Sequence, residues 1–145
     1  MTLNQILTSL KTYFKRHALI NGVNVTLDND DFNALVGVEY PVVNIQYVDT
    51  PVSYPLSYHT FKITIGDLTS MNIQLLDIEI FSDCVQVAED FFSWLELQED
   101  YDWNKNTTIN PFIDANGDRT SGITFTIVLS SYLQENVECQ VPYRT

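Results

Sequence analysis

Four segments of the chain alternate apolar and polar residues with a period of two, and that rhythm constrains the fold more than any other feature. Val43, Ile45 and Tyr47 oppose Asn44 and Gln46, and Phe61, Ile63 and Ile65 oppose Thr60, Lys62 and Thr64. Leu76, Ile78 and Ile80 oppose Asp77 and Glu79, and Ile123, Phe125, Ile127 and Leu129 oppose Thr124, Thr126 and Val128. Successive side chains on a strand point to opposite faces, so each segment predicts a strand with one apolar face, and together they predict an antiparallel sheet. The opposite faces carry Thr more than Lys, which leaves them able to accept another packed layer.

Two other segments follow a helical period. Leu3, Ile6, Leu7, Leu10, Phe14 and His17 share one stripe near the N-terminus, with Asn4, Thr8, Lys11, Thr12 and Lys15 on the other. Thr2 is the expected N-cap, and Asn21-Gly22 the expected stop. The stretch LLDIEIFSDCVQVAEDFFSWL, residues 75–95, changes rhythm in the middle. It predicts a strand to Ile80, a junction at Ser82-Asp83 with Asp83 and Gln86 in capping-box spacing, and then a helix. That helix carries Cys84, Val87, Ala88, Phe91 and Leu95 on one stripe, widened by Val85, Phe92 and Trp94. So broad a stripe needs cover from the sheet and also from the first helix or a neighbouring subunit.

The remaining segments read as connections. A short strand is expected at Val23–Leu27, followed by the polar turn Asp28-Asn29-Asp30-Asp31 and a helical turn at Phe32–Leu35. Residues 49–57 contain Pro51 and Pro55 and are expected to stay extended. Residues 96–106 are acidic and end the long helix, and Asn116-Gly117 marks a hairpin turn. Residues 134–145 include Pro142, show no period, and read as a tail that lies over the body or reaches out. The fold class is therefore α+β: one domain over residues 1–145, with an antiparallel sheet of about four to six strands packed by two main helices.

Nineteen Asp and Glu against seven Lys and Arg give a net charge of −12. Such a surface repels nucleic acid and anionic membranes, which disfavours generic DNA or RNA binding. No acid precedes Asp28, whereas Lys11, Lys15 and Arg16 lie on the first helix. This basic island reads as a solvated helix face or as a docking face for acidic surface, another copy of the chain included. Cys84 and Cys139 are too few and too far apart for a disulfide scaffold or a zinc knuckle, and they suit a reducing compartment, with a single bridge between them left open. The N-terminal stretch lacks signal-peptide order and no apolar run is long enough to span a bilayer, so the expectation is a soluble chain made inside the cell.

Motifs that carry chemistry are sparse. His17 follows an apolar stripe and His59 flanks a strand, so both read as structural. Cys84 is a nucleophile type on a stripe expected to be buried, and no triad follows from it. Asp77 and Glu79 read as neighbours on one strand face that need a cleft before they can act on a substrate. Asp114-Ala-Asn-Gly-Asp118 matches the first ligand positions of a calcium loop, but Arg119 stands where glycine is needed and Phe125 where a bidentate Glu is needed. A hairpin is the better account. No cofactor, no metal and no catalytic residue is assigned, and an enzyme is not expected.

The segments EIFSDCVQVAEDFFSWL (79–95) and DRTSGITFTIVLSSYLQENVECQVP (118–142), with the order of elements, resemble the tail-terminator and tail-completion proteins of tailed bacteriophages. The nearest likeness is to small neck and ring proteins of phages infecting Bacteroidetes, including the crAss-like group. The resemblance implies a structural virion protein, located in the neck or tail and in the host cytoplasm during assembly. It implies a ring of identical subunits, six or twelve, between portal and tail, touching adjacent neck, portal or tail proteins. DNA would pass through the lumen without sequence-specific binding, and no membrane is involved. The residues expected at the subunit interface are Lys11, Lys15 and Arg16, the proline-bracketed Pro51, Val52, Tyr54 and Pro55, and Val141, Pro142 and Tyr143 in the tail. Two other classes stay open: a small acidic chaperone or adaptor that binds a partner segment as a dimer, and a small-ligand binder or enzyme with a cleft between sheet and helices.

Overall fold

The structure, a computed structural model, describes residues 2–27, 40–68, 74–114 and 120–133. In chain order the elements are α1 (Leu3–Arg16), β1 (Gly22–Thr26), β2 (Val42–Asp49), β3 (Val52–Ser53), β4 (Leu56–Leu68), α2 (Gln74–Glu96), β5 (Asp102–Trp103), β6 (Asn110–Asp114) and β7 (Thr120–Tyr132). The seven strands form one sheet in the order β1-β2-β4-β7-β5, with β3 also on β4 and β6 also on β7. Every pairing is antiparallel except that of β1 with β2. This is a single α+β domain, with more strands than the alternation in the sequence indicates.

α1 starts where expected. Thr2 Oγ1 accepts a hydrogen bond from the Gln5 amide at 3.2 Å, and Gln5 Oε1 accepts one from the Thr2 amide at 2.8 Å. This reciprocal pair satisfies amides that the first turn would leave orphaned. The helix ends earlier than Asn21-Gly22, because His17 turns to an extended backbone at ψ 130 and caps the last turn. Ile20 is then buried against the core. The strand predicted at 23–27 is β1 at Gly22–Thr26. The helical turn predicted at Phe32–Leu35, the Asn116-Gly117 turn and the 134–145 tail lie outside the described residues, although β6 and β7, which flank residues 115–119, pair antiparallel.

The segment at 76–80 is the main correction. It is the start of α2, which runs unbroken from Gln74 to Glu96, so there is no strand and no capped junction at Ser82-Asp83. Residues i and i+4 share a face on a helix as well as on a strand, so in Leu76-Asp-Ile-Glu-Ile80 only Ile78 distinguishes the two. Ile78 is 60% exposed, while Ile80 is buried in line with Cys84, Val87, Ala88, Phe91 and Leu95. Asp77 and Glu79 consequently do not form a pair on one strand face: Asp77 is buried and Glu79 exposed.

Both helices cover the same face of the sheet. Ile6, Leu10 and Phe14 of α1 and Ile80, Val87, Phe91 and Leu95 of α2 pack on Val43, Ile45, Phe61, Ile63, Ile65, Ile123, Phe125, Ile127 and Leu129. The broad stripe of α2 finds the cover it needs. Phe91 lies 4.7 Å from Phe14 between ring centroids, Trp94 stacks on Tyr13 at 4.6 Å, and Phe92 stacks on Trp103 at 5.0 Å. In the two central strands Gly66 faces Gly122. A Cβ on Gly122 would stand 2.0 Å from the Ile65 carbonyl oxygen, so only glycine fits there.

The opposite face carries rungs of small polar residues set by the register. One runs Asn24, Asn44, Thr64, Thr124 and Asn110 across five strands. Asn44 Nδ2 donates to Thr26 Oγ1 at 3.3 Å, and the Thr64 and Thr124 hydroxyls are 3.3 Å apart. Thr–Thr pairs of this kind stabilise a sheet without making its surface greasy.

Candidate functional site

The residues singled out in the sequence fall into separate places. Lys15 and Arg16 are exposed on the last turn of α1, and Lys11 is half-buried one turn earlier. Cations at a helix C-terminus oppose the partial negative charge there, so part of their role is structural. Beside them an open groove of about 620 Å³ runs along the outer side of the helix layer, lined by Ser9, Thr12, Tyr13, Arg16, His17, Ala18 and Trp94. Its floor is the Tyr13–Trp94 stack, and His17 on its lining belongs to a hydrogen-bond network.

That network fixes His17 chemically. The Leu19 amide donates to Nδ1 at 3.2 Å, so Nδ1 is an acceptor, and Nε2 carries the proton that points at Asp90 Oδ2, 3.0 Å away. Gln86 Nε2 donates to the other oxygen, Oδ1, at 3.0 Å. The hydrogen bonds from His17 and then Gln86 hold the Asp90 carboxyl below the usual carboxylate range. His17 therefore ties α1 to α2, and the structural role read for it from the sequence is the one its geometry supports.

Pro51, Val52, Tyr54 and Pro55 lie together at the tip of the β3–β4 hairpin. The sequence reading of 49–57 as an extended connection is half right: the segment folds back on itself and joins the sheet. Its root is well held. Pro51 accepts from the Tyr58 amide at 2.8 Å, and Pro55 accepts from the Leu133 amide at 2.7 Å. Thr50 Oγ1 is 2.9 Å from His59 Nδ1 and also bonds the Tyr47 hydroxyl. Burial pushes His59 below the ordinary histidine value, so it sits in this cluster neutral. Above that fixed root the tip is exposed, Val52 at 62% and Tyr54 at 72%, with Tyr132 on the adjoining strand at 74%. Tyr132 is brought beside the hairpin by the register Leu56–Tyr132, on the sheet face opposite to Val52, a link that sequence spacing alone does not reveal. Val141, Pro142 and Tyr143 lie outside the described residues.

A third site is a cavity of about 70 Å³ bordered by Leu19, Ile20, Pro41, Ile65, Asp67, Ile80, Asp83, Cys84 and Val87. Burial, with Asp83 adding to it, pushes the Asp67 carboxyl up even though its Oδ1 accepts the Leu68 amide at 2.8 Å. Burial first, then Asp67 and Asp83, push the Cys84 thiol up to about 12. A thiol so held stays protonated at neutral pH and is a poor nucleophile. Among the described residues no group of His, Cys, Asp and Glu is placed to hold a metal ion.

A scan against protein-family models finds no match to the chain, and neither does a search of curated proteins.

Proposed function

We propose that the chain is a structural subunit of a tailed-phage virion, which assembles with sister copies into a ring in the neck, at the head–tail connector or at the tail end. The observation that carries this reading is the hairpin tip: Val52 and Tyr54, exposed on a root pinned by backbone hydrogen bonds. A rigid apolar projection has little to gain in water and much to gain in a contact. Fully burying a side chain of valine size stabilises by about 1.5–3 kcal/mol, a gain that recurs at every interface of a closed ring.

The charge supports the same reading. A lumen wall drawn from a chain of net charge −12 repels DNA phosphate, so packaged DNA slides past without adhering. The reading assigns no catalysis, cofactor or membrane contact, and its neighbours are adjacent portal, neck or tail proteins.

Native mass spectrometry with electron microscopy of the purified chain tests it. A closed ring of six or twelve copies around a channel is the expected outcome. A two-fold dimer at all concentrations would instead favour a chaperone or adaptor, and a monomer that turns over a small molecule would favour an enzyme.

A further inference from the structure

We propose that the hairpin tip of one copy seats in the groove between α1 and α2 of the next, which makes the ring contact a knob entering a hole. The inference rests on the ring reading above and specifies which surfaces meet. Knob and hole lie on different parts of the molecule: the knob where β3 and β4 turn at the end of the sheet, the hole on the outer side of the helix layer. A contact between two different surfaces of identical chains is head-to-tail, the type that generates rings.

The chemistry matches on both sides. The knob offers Val52, Tyr54 and Pro55, all exposed, and the hole offers the stacked rings of Tyr13 and Trp94 as its floor. At about 620 Å³ the groove is within the range of about 300–1,000 Å³ that accommodates ligand-sized groups. Aromatic rings on both sides gain from offset or edge contacts as well as from burial.

The charges are complementary too. Arg16 stands at the groove, exposed, and Asp49 stands at the hairpin root, exposed. Among the described residues Lys105 pairs with Glu96, and Asp90 is held by the hydrogen bond from His17, so neither Arg16 nor Asp49 is used in an ion pair. Docking the tip in the groove gives each a partner in the neighbouring copy, with Lys15 adding to the attraction. Charges arranged in this way steer encounter and fix register more than they add affinity.

Two measurements test the proposal on the full chain with Cys139→Ser, in which Cys84 remains buried. First, one preparation carries Tyr54→Cys and another Ala18→Cys, and each is oxidised alone and, in parallel, as an equimolar mixture of the reduced proteins. The expected result is a mixed disulfide that forms at least about tenfold faster than either preparation cross-links with itself, because only the mixture brings knob to hole. Dominant cross-linking of the Tyr54→Cys protein with itself would overturn the proposal, since it reports a two-fold contact. Second, Arg16→Glu is expected to raise the concentration for half-assembly at least about tenfold, and adding Asp49→Arg to restore it. Near-UV circular dichroism checks that each variant keeps the native fold. Wild-type rings with unchanged assembly of Arg16→Glu and no mixed disulfide would overturn this docking mode and leave the ring reading intact. A wild-type chain that never exceeds a dimer would overturn both.

Discussion

The middle of the long strands and their hairpin end treat apolar residues in opposite ways. β4 and β7 each have 13 residues, about 43 Å of extended chain, and the helices do not supply apolar cover along all of it. In the middle, Phe61, Ile63, Ile65, Ile123, Phe125 and Ile127 are sealed under Phe14 and Phe91. Toward the hairpin, the positions that continue the same face become Ser57, His59 and Ser131, all buried but polar. Beyond them the apolar residues return at the tip as Val52 and Tyr54, now exposed. The lesson is that the chain spends its grease twice, once on its own core and once on an exposed tip that the proposed ring contact would cover.

The sharpest way to break this comparison is to truncate one aromatic ring in each region. Phe91→Ala removes a fully buried ring in contact with Phe14, Trp94 and Phe125, and is expected to cost about 3–5 kcal/mol of folding stability in denaturant melts. Tyr54→Ala in the dilute chain is expected to cost less than about 0.5 kcal/mol. Equal costs would mean that the tip belongs to the core after all. Gly122→Ala comes next, at about 1–3 kcal/mol or more, because its methyl would meet the Ile65 backbone; a melting temperature equal to wild type would show that the central strands can part at no cost.

Two smaller effects sharpen the contrast through pH. His59 beneath the hairpin is held below its ordinary value of 6.5 by burial, so the fold favours its neutral form. Its contribution is therefore complete above about pH 6.5 and falls as the pH drops below that value toward the folded-state pKa. Stability curves of wild type and His59→Gln are expected to converge over that window, and parallel curves would remove the hairpin root from the pH response. Asp67 runs the other way. Burial raises it above 3.8, so its favourable contribution is present below that pH and lost as pH rises through the folded value. Asp67→Asn keeps an oxygen for the Leu68 amide and is expected to raise the melting temperature at pH 7, with the gain vanishing near pH 3; a lower melting temperature at pH 7 would show the charge to be useful.

The same comparison explains what could be read from the sequence. α1 with its Thr2 cap and the strands around 43–47, 60–65 and 123–129 were legible because each offers a long run of one period with one buried face. Residues 76–80 were misread because five residues of alternation leave the decision to Ile78 alone, and the helix continuing from Ile80 to Leu95 outweighs it. β5 and β6 left little trace: one has two residues, and the other carries Pro111, which breaks the usual strand pattern. At the candidate site, the exposure of Lys15 and Arg16 followed from residue type, whereas that of Val52 and Tyr54 did not. The groove beside Trp94, the approach of Tyr132 to the hairpin and the pairing of His17 with Asp90 depend on long-range register and helix packing, which local patterns do not encode.

Hydroxyl-radical footprinting of Tyr54 across a concentration series tests the claim that the hairpin tip is the surface other copies cover, with Leu97, 77% exposed at the end of α2, as the reference side chain. Oxidation of Tyr54 should drop sharply relative to Leu97 as the chain assembles. If Tyr54 stays as reactive in the assembled chain as in the dilute one, the tip is not an interface and the account is wrong.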